Sequence, residues 1–473
     1  MRLIGVRHIR ENTYRPLNNP PILGHTAFCN GKERDLKVGL NIQKQTIVHS
    51  VLPICLCGAL FFYLLETALP DVWGIAPSQI LLVGAVGVAW WQKKESAGFF
   101  RQEPASVWLL LYGLVFLLTG QKSGWTPALW QPLITAGQMG LLLILVVRTN
   151  EVDSLLLRMP VGAGVVAFSM GITLWVMDQS PYRLRISPIQ DYNQYAMVLL
   201  IGLVALWSRP VWKEKACLFS WESAVAVWLL AGVWLSGSRR GLLFSFFIIL
   251  GHWVMDVQSL LCLPKSRVRW KGLLHDGIRQ LLILALSGLL FFAGNTFLSS
   301  QEKVPLLENG QNENTLTTTM ESLPDGQAAH KRLLIWKAAI KAYWNSSLWE
   351  KAVGQGADYP QALYDETWGE EVRESYGSLV LPAGSLNPHN FLLTELLAGG
   401  MVRLIAAFVL WFSLIRHAWQ SVKKGRLFLV LLWGIVGGTL CLSAPVGFIG
   451  SRLFWIAWIL TWGWQKSSER QKE

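Results

Sequence analysis

Residues 219–257 read FSWESAVAVWLLAGVWLSGSRRGLLFSFFIILGHWVMDV, two apolar runs at 219–235 and 242–257 separated by a short Ser/Gly/Arg joint. Each run is close to the length a helix needs to cross a hydrocarbon core of about 30 Å. Neither run alternates as a half-buried strand does, and neither carries the wide polar face of a soluble helix. Backbone within hydrocarbon must satisfy its own hydrogen bonds, so the stretch predicts a pair of membrane helices joined by a tight turn.

Working outward, the pattern recurs. Further apolar blocks are centred in 46–65, 73–91, 105–119, 126–147, 161–177, 194–207, 279–298, 399–416, 427–443 and 446–464. With the quoted pair they make about 12 transmembrane helices, and the predicted fold class is an all-α polytopic membrane protein. Composition agrees: 52% of 473 residues are hydrophobic against 15% charged, there are 25 Trp, and the mean hydropathy is +0.35. Too little polar surface remains to cover a soluble globule, which excludes a soluble enzyme.

The net charge of +12 would suggest nucleic acid in a soluble chain. Here it follows the positive-inside rule: with the N-terminal tail in the cytoplasm, alternate joints carry Lys93, Lys94 and Arg101, then Arg148 and Arg158, then Arg209, Lys213 and Lys215, then Lys265 to Lys271, then Lys423, Lys424 and Arg426. No nucleic-acid partner is expected. The predicted organisation is a cytoplasmic tail at 1–45, nine spans in 46–299, an extracytoplasmic loop domain at 300–388, three spans in 389–464 and a second cytoplasmic tail at 465–473. The six cysteines avoid the long loop, so no disulfide framework is expected, and Cys55 and Cys57 read as packing.

The outer joints break the charge rule. They carry Lys122, Arg183, Arg185, Arg239, Arg240 and Arg452, and arginine's planar fork grips phosphate oxygens two at a time. Snorkelling to lipid headgroups accounts for any one of them; the set points to a bound anion. The loop domain has a polar stretch at 302–326 and then a helical pattern over 328–344, with Leu333, Trp336, Ile340, Tyr343 and Trp344 on one face. That face is expected on the membrane surface or against neighbouring spans. Arg332 lies at its edge, and Lys337 and Lys341 lie off it as solvated side chains.

Four outer segments are candidates for chemistry. Leu235-Ser-Gly-Ser-Arg-Arg-Gly241 places paired arginines before a helix N-terminus, which favours anions. Arg332-Leu-Leu-Ile-Trp336 is followed by the glycine turn around Gly354 and Gly356. Asn387-Pro-His-Asn390 sets a histidine at a Pro-led helix entry, and His389 is the better of the two outer histidines, His330 and His389, for taking a proton from a hydroxyl. A capping or interfacial histidine is the other reading. Tyr192-Asn-Gln-Tyr-Ala196 opens the sixth span as a polar entry or as an aromatic belt. No metal or nucleotide motif is present, and no cofactor is expected.

In order and kind these residues resemble the O-antigen ligase family of membrane glycosyltransferases, which also includes O-antigen polymerases and protein O-glycosylating enzymes. The resemblance rests on Asn193 to Ala196, Ser238-Arg239, Arg332 with Trp336, Gly354 and Gly356, and His389-Asn390 ahead of a Gly-containing span, over about residues 160–415. Ala398 stands where an acidic residue is expected, and Arg403 where a second glycine is common.

The resemblance implies a type C glycosyltransferase fold in a bacterial inner membrane, with both termini cytoplasmic and the active site facing the periplasm. It implies metal-independent, inverting transfer of a glycan from polyprenyl (undecaprenyl) pyrophosphate to an acceptor hydroxyl, with lipid A-core as the expected acceptor. Arg239 and Arg332 would neutralise the departing pyrophosphate, with Arg240 in support, and His389 would deprotonate the acceptor. Asn390, Asn193, Arg183, Arg185, Gly354 and Gly356 would contact substrate, and membrane lipids would surround the spans. A polymerase acting on a second lipid-linked glycan, or a protein O-oligosaccharyltransferase of the same family, is the near alternative. An anion carrier is the alternative from another class, disfavoured because ionisable residues inside the spans look scarce, with Glu66 and Asp256 at span ends.

Overall fold

A computed structural model describes residues 51–65, 76–91, 104–149, 153–177, 192–208, 220–261, 267–300, 325–366, 387–421, 426–443 and 448–470. Among these residues the structure is helices joined by short turns, with no strand. The helices are α1 (51–65), α2 (Pro77–Trp91), α3 (Pro104–Gly120), α4 (Pro127–Arg148), α5 (Arg158–Val176), α6 (Tyr192–Ser208), α7 (Trp221–Leu235), α8 (Arg239–Leu261) and α9 (Arg267–Ser300). There follow α10 (Asp325–Asn345), α11 (Leu348–Val353), α12 (Tyr359–Glu366), α13 (Phe391–Ser421), α14 (Arg426–Ser443) and α15 (Arg452–Arg470). A helix lies on each apolar block of the sequence. Pro127–Val147, Arg158–Val176, Leu274–Gly294 and Phe391–Gln420 are long and apolar enough to cross a membrane, and shorter apolar helices accompany them.

Local chemistry starts these helices where they start. Proline, pre-set for the helix and lacking an N–H that would go unpaired, opens α2, α3 and α4. Ser220 caps α7 by accepting from the Ser223 N–H at 3.2 Å, and Ser347 with Glu350 forms a capping box on α11.

Side-chain contacts fix the relative sense of the helices. Antiparallel packing joins α5 to α6, because Gly202 sits under the Pro160 carbonyl and Gly171 under Tyr195. A methyl on Gly202 would approach that carbonyl to 2.9 Å, so the small residue sets how closely the two helices pack. In contrast, α6 and α8 run parallel, with Ala196 beside Gly241 near one end and the Trp207 ring 4.7 Å from His252 near the other. Phe244 meets Gly438 and Gly251 meets Leu431, so α8 and α14 are antiparallel. These senses are what a chain crossing back and forth in successive helices requires. They bring the N-termini of α6 and α8 and the C-terminal turns of α14 to one end of the bundle.

The predicted span at 399–416 is part of a longer helix interrupted at Gly400, whose backbone (φ 64°, ψ −166°) is not helical. An unbroken helix would separate Phe391 and Trp411 by about 30 Å, yet their rings lie 5.6 Å apart. The interruption is therefore a reversal: a first arm at 391–399 folds back along a second arm that begins at Met401. A main core of apolar side chains fills the bundle. Beside it, Leu397 of the first arm joins Ile335, Ala338, Ala339, Ala342, Leu363 and Tyr364 in a second, smaller core. The first arm thus packs with α10 and α12 as well as with the apolar helices.

The amphipathic face expected on α10 divides in two. Trp336 and Tyr343 pack inward on the second core, while Leu333, Ile340 and Trp344 are exposed. Lys337 and Lys341 are exposed as expected.

Candidate functional site

The joint between α7 and α8 is a tight turn with Gly237 at φ 66°. Ser238 Oγ accepts from the Gly241 N–H at 3.0 Å, which caps α8, and donates to Asn193 Oδ1 at 2.8 Å. Ser238 and Asn193 are both buried, so this bond ties the first turn of α6 to the first turn of α8. The sequence motifs carrying Asn193 and Arg239 are therefore one unit in space. Arg239 is exposed on the first turn of α8 and Arg240 is half-buried beside it, where the unpaired N–H groups of a helix start favour negative charge. Asn193 supports this turn through its side-chain oxygen.

His389 is the one non-glycine residue with a positive φ (46°) among the described residues. That conformation costs about 1–2 kcal/mol for an L-residue, and its neighbours hold it there. Asn387 Oδ1 accepts the His389 N–H at 2.9 Å, and the Asn390 Oδ1 accepts the Leu392 N–H at 2.9 Å as the cap of α13. The Asn390 carbonyl accepts from the Thr394 hydroxyl at 3.0 Å. Asn390, expected to touch substrate, has its side-chain oxygen engaged in capping. His389 as a residue is half-buried.

From the loop side, the Trp336 Nε1–H donates to the Pro388 carbonyl at 2.9 Å. Arg332 lies one helical turn before Trp336 on α10 and is half-buried. From the bundle side, Phe391 contacts Trp411, and Trp411 packs on Gly437 of α14. The next residues of α14, Gly438 and Thr439, meet Phe244 of α8 and Met197 of α6, the latter through a 3.2 Å contact from the Thr439 hydroxyl. One stretch of α14, Gly437 to Thr439, thus connects the His389 turn with the Asn193–Arg239 unit.

The remaining expected contacts fall differently. Gly354 (φ 78°) and Gly356 (φ 108°) have left-handed backbones, and the loop they frame plugs the break in α13. The N–H groups of Gln355 and Gly356 donate to the carbonyls of Leu397 and Ala398 at 3.0 Å each. A Cβ on Gly354 would collide with the Ala398 carbonyl, and one on Gly356 with the Ser123 hydroxyl. Their role in the structure is docking of backbone on backbone. Lys122, counted among the cations free for an anion, donates to Glu350 Oε1 at 3.3 Å and to the Gly354 carbonyl at 3.4 Å, so it clips this loop to the end of α3. Arg452 opens α15; Arg183 and Arg185 lie outside the described residues.

Two electrostatic features of the loop helices have clear causes. The Ser347 backbone and side chain, and then Lys122, hold the Glu350 carboxyl below its ordinary range. Burial pushes the Tyr364 phenol upward, and its hydroxyl donates to the Ile335 carbonyl at 3.0 Å.

The sequence reading missed one constellation. Glu395 on the first arm of α13 accepts from the Tyr112 hydroxyl of α3 at 2.7 Å and from the Arg403 Nε of the second arm. The Arg403 guanidinium lies over the Phe116 ring, 3.8 Å from its centre. Ionisable groups inside the apolar helices are therefore present, which corrects the expectation of scarcity; the Gly399-Gly400 pair was the available signal that the helix breaks there. Among the described residues no cluster of three His, Cys, Asp or Glu side chains is placed to hold a metal ion. No family model matches the chain, and no curated protein matches it in sequence.

Proposed function

We propose that the chain is a membrane glycosyltransferase that moves a glycan from a polyprenyl pyrophosphate to an acceptor hydroxyl, with O-antigen ligation to lipid A-core as the specific reaction. The observation that carries the reading is the setting of His389. Its left-handed turn is anchored on one side to Trp336, one turn from Arg332, and on the other through Trp411 and α14 to the α8 start that bears Arg239. In this reading the twelve apolar helices are twelve crossings of a bacterial inner membrane, both termini are cytoplasmic, and the arginine-bearing end faces the periplasm.

The chemistry follows from charge and proton bookkeeping. The acceptor oxygen attacks the anomeric carbon from the face opposite the leaving group, forming the new glycosidic bond as the bond to the pyrophosphate oxygen breaks. The acceptor's proton passes to the His389 imidazole, a step commonly worth about 10²–10⁴ in rate. Negative charge grows on the departing pyrophosphate, and guanidinium groups at Arg239 and Arg332, with Arg240 in support, stabilise it more in the transition state than in the ground state. The half-buried and exposed settings of these arginines suit a ligand arriving from the interface.

One observation favours a second reading. A helix broken at Gly400 beside a buried acid–base pair is a feature of carriers, whose interrupted helices hold their sites. Reconstitution separates the readings: the purified chain is placed in liposomes with a polyprenyl pyrophosphate glycan and lipid A-core, with chelator present. Glycosylated lipid A-core supports the ligase; a lengthened lipid-linked glycan makes the chain a polymerase; solute flux with no glycosidic bond formed makes it a carrier.

A further inference from the structure

The Tyr112–Glu395–Arg403 cluster has no part in the reaction as described, and its burial is complete on both sides of the ion pair: 0% of the Glu395 side chain and 2% of the Arg403 side chain are exposed. Other described ion pairs leave at least one partner partly exposed, as Lys122–Glu350 and Arg279–Asp276 do. Taking two charges out of water is repaid only in part by their attraction, and well-packed apolar side chains usually hold a fold as well or better. The hairpin of α13 already has such packing, in Phe391 against Trp411, and its open carbonyls are filled by the Gln355 and Gly356 N–H groups. Closing the hairpin therefore does not require the pair.

The pair supplies direction. Apolar contacts let a short arm rotate or slide, whereas a carboxylate shared between the Tyr112 hydroxyl and the Arg403 Nε admits one arrangement. Glu395 lies near the middle of the first arm, six residues after His389 and at helical spacing from Phe391, and it ties that arm to α3 and to the second arm together. Arg403 is itself located by the Phe116 ring.

We propose that Tyr112, Glu395 and Arg403 are positioning residues: they fix the rotation and height of the arm that ends at His389, and so set where its imidazole meets the acceptor. The proposal rests on the reading of His389 as the proton acceptor. A misplacement near 1 Å in such a site costs about 10²-fold in rate, so the clasp is worth its burial even where it adds no stability.

The test uses the full chain in nanodiscs carrying Glu395→Gln, or the apolar pair Glu395→Leu with Arg403→Met, with His389→Ala as control. Thermal stability, kcat and KM for transfer from a polyprenyl pyrophosphate glycan to lipid A-core, and the ¹³C-histidine resonance that His389→Ala abolishes are all followed. The apolar pair, which leaves the buried Tyr112 hydroxyl unpaired, is expected to stay folded with a modestly lowered melting temperature yet to lose at least about tenfold in kcat, with KM held and the His389 resonance shifted or broadened. Glu395→Gln is expected to show the same change in milder form, and it decides the matter if the double variant does not fold. Unchanged kcat and an unchanged His389 resonance in both would overturn the proposal. Full activity of His389→Ala would instead remove the functional reading beneath it, while the resonance would still report whether the clasp positions the ring.

Discussion

Phe391 and Trp411 belong to one run of helical residues, yet their rings meet at 5.6 Å because the chain doubles back at Gly400. The His389 turn sits at the open end of that hairpin, so the pair belongs to the site's framework. Their coupling is measurable. A double-mutant cycle on Phe391→Ala and Trp411→Ala should give an interaction of about 0.5–1.5 kcal/mol, as contacting aromatic rings do. Strict additivity would mean that the helix runs straight through.

The reversal depends on glycine. Alanine at Gly400 must adopt a positive φ and drive its methyl into the Ala352 carbonyl, so Gly400→Ala should destabilise by about 1–3 kcal/mol or more. Gly434, in regular α14 with open space around it, is the matched control: Gly434→Ala should be neutral or stabilise by up to about 1 kcal/mol. Chemical denaturation in detergent reads both, and equal effects would contradict the break.

Trp336 ties α10, which carries Arg332, to the turn that holds His389. Trp336→Phe keeps an aromatic ring on the second core but deletes the donor to the Pro388 carbonyl. The expected stability loss is about 0.5–1.5 kcal/mol, with a larger proportional fall in transfer rate. A variant as active as the wild type would show that the His389 turn does not depend on α10.

The loop clip should respond to acid. Because hydrogen bonds from Ser347 and the charge of Lys122 hold the Glu350 carboxyl below its ordinary value of 4.5, the ionised form is favoured in the folded state. Its contribution is complete above that value and is lost as pH falls through the lower folded one. Protease sensitivity of the loop should therefore rise on acidification in the wild type and vary less with pH in Glu350→Gln. Parallel profiles would exclude the clip.

Much of this was legible beforehand for physical reasons. Helix class and block positions follow from apolar runs that hydrocarbon demands; Asn193, Arg239 and His389 stand out as polar groups at the edges of such runs, and Arg332 at the edge of the amphipathic face over 328–344. The glycines at 354 and 356 were visible as a turn but not as a plug, because what they approach, Ala398 and Ser123, is distant in sequence. The Glu395–Arg403 pair was hidden for a related reason: eight residues apart, the two would not face each other across a straight helix, and only the reversal at Gly400 brings them together. Lys122 looked like a free cation because its partner, Glu350, is more than two hundred residues away.

The central claim is that the imidazole of His389 takes the proton of the attacking hydroxyl. It is tested most directly by the initial rate of glycan transfer to lipid A-core, measured for wild type and His389→Ala at matched folded concentration. A loss of at least about 10²-fold is expected; rates within twofold of each other would contradict the account.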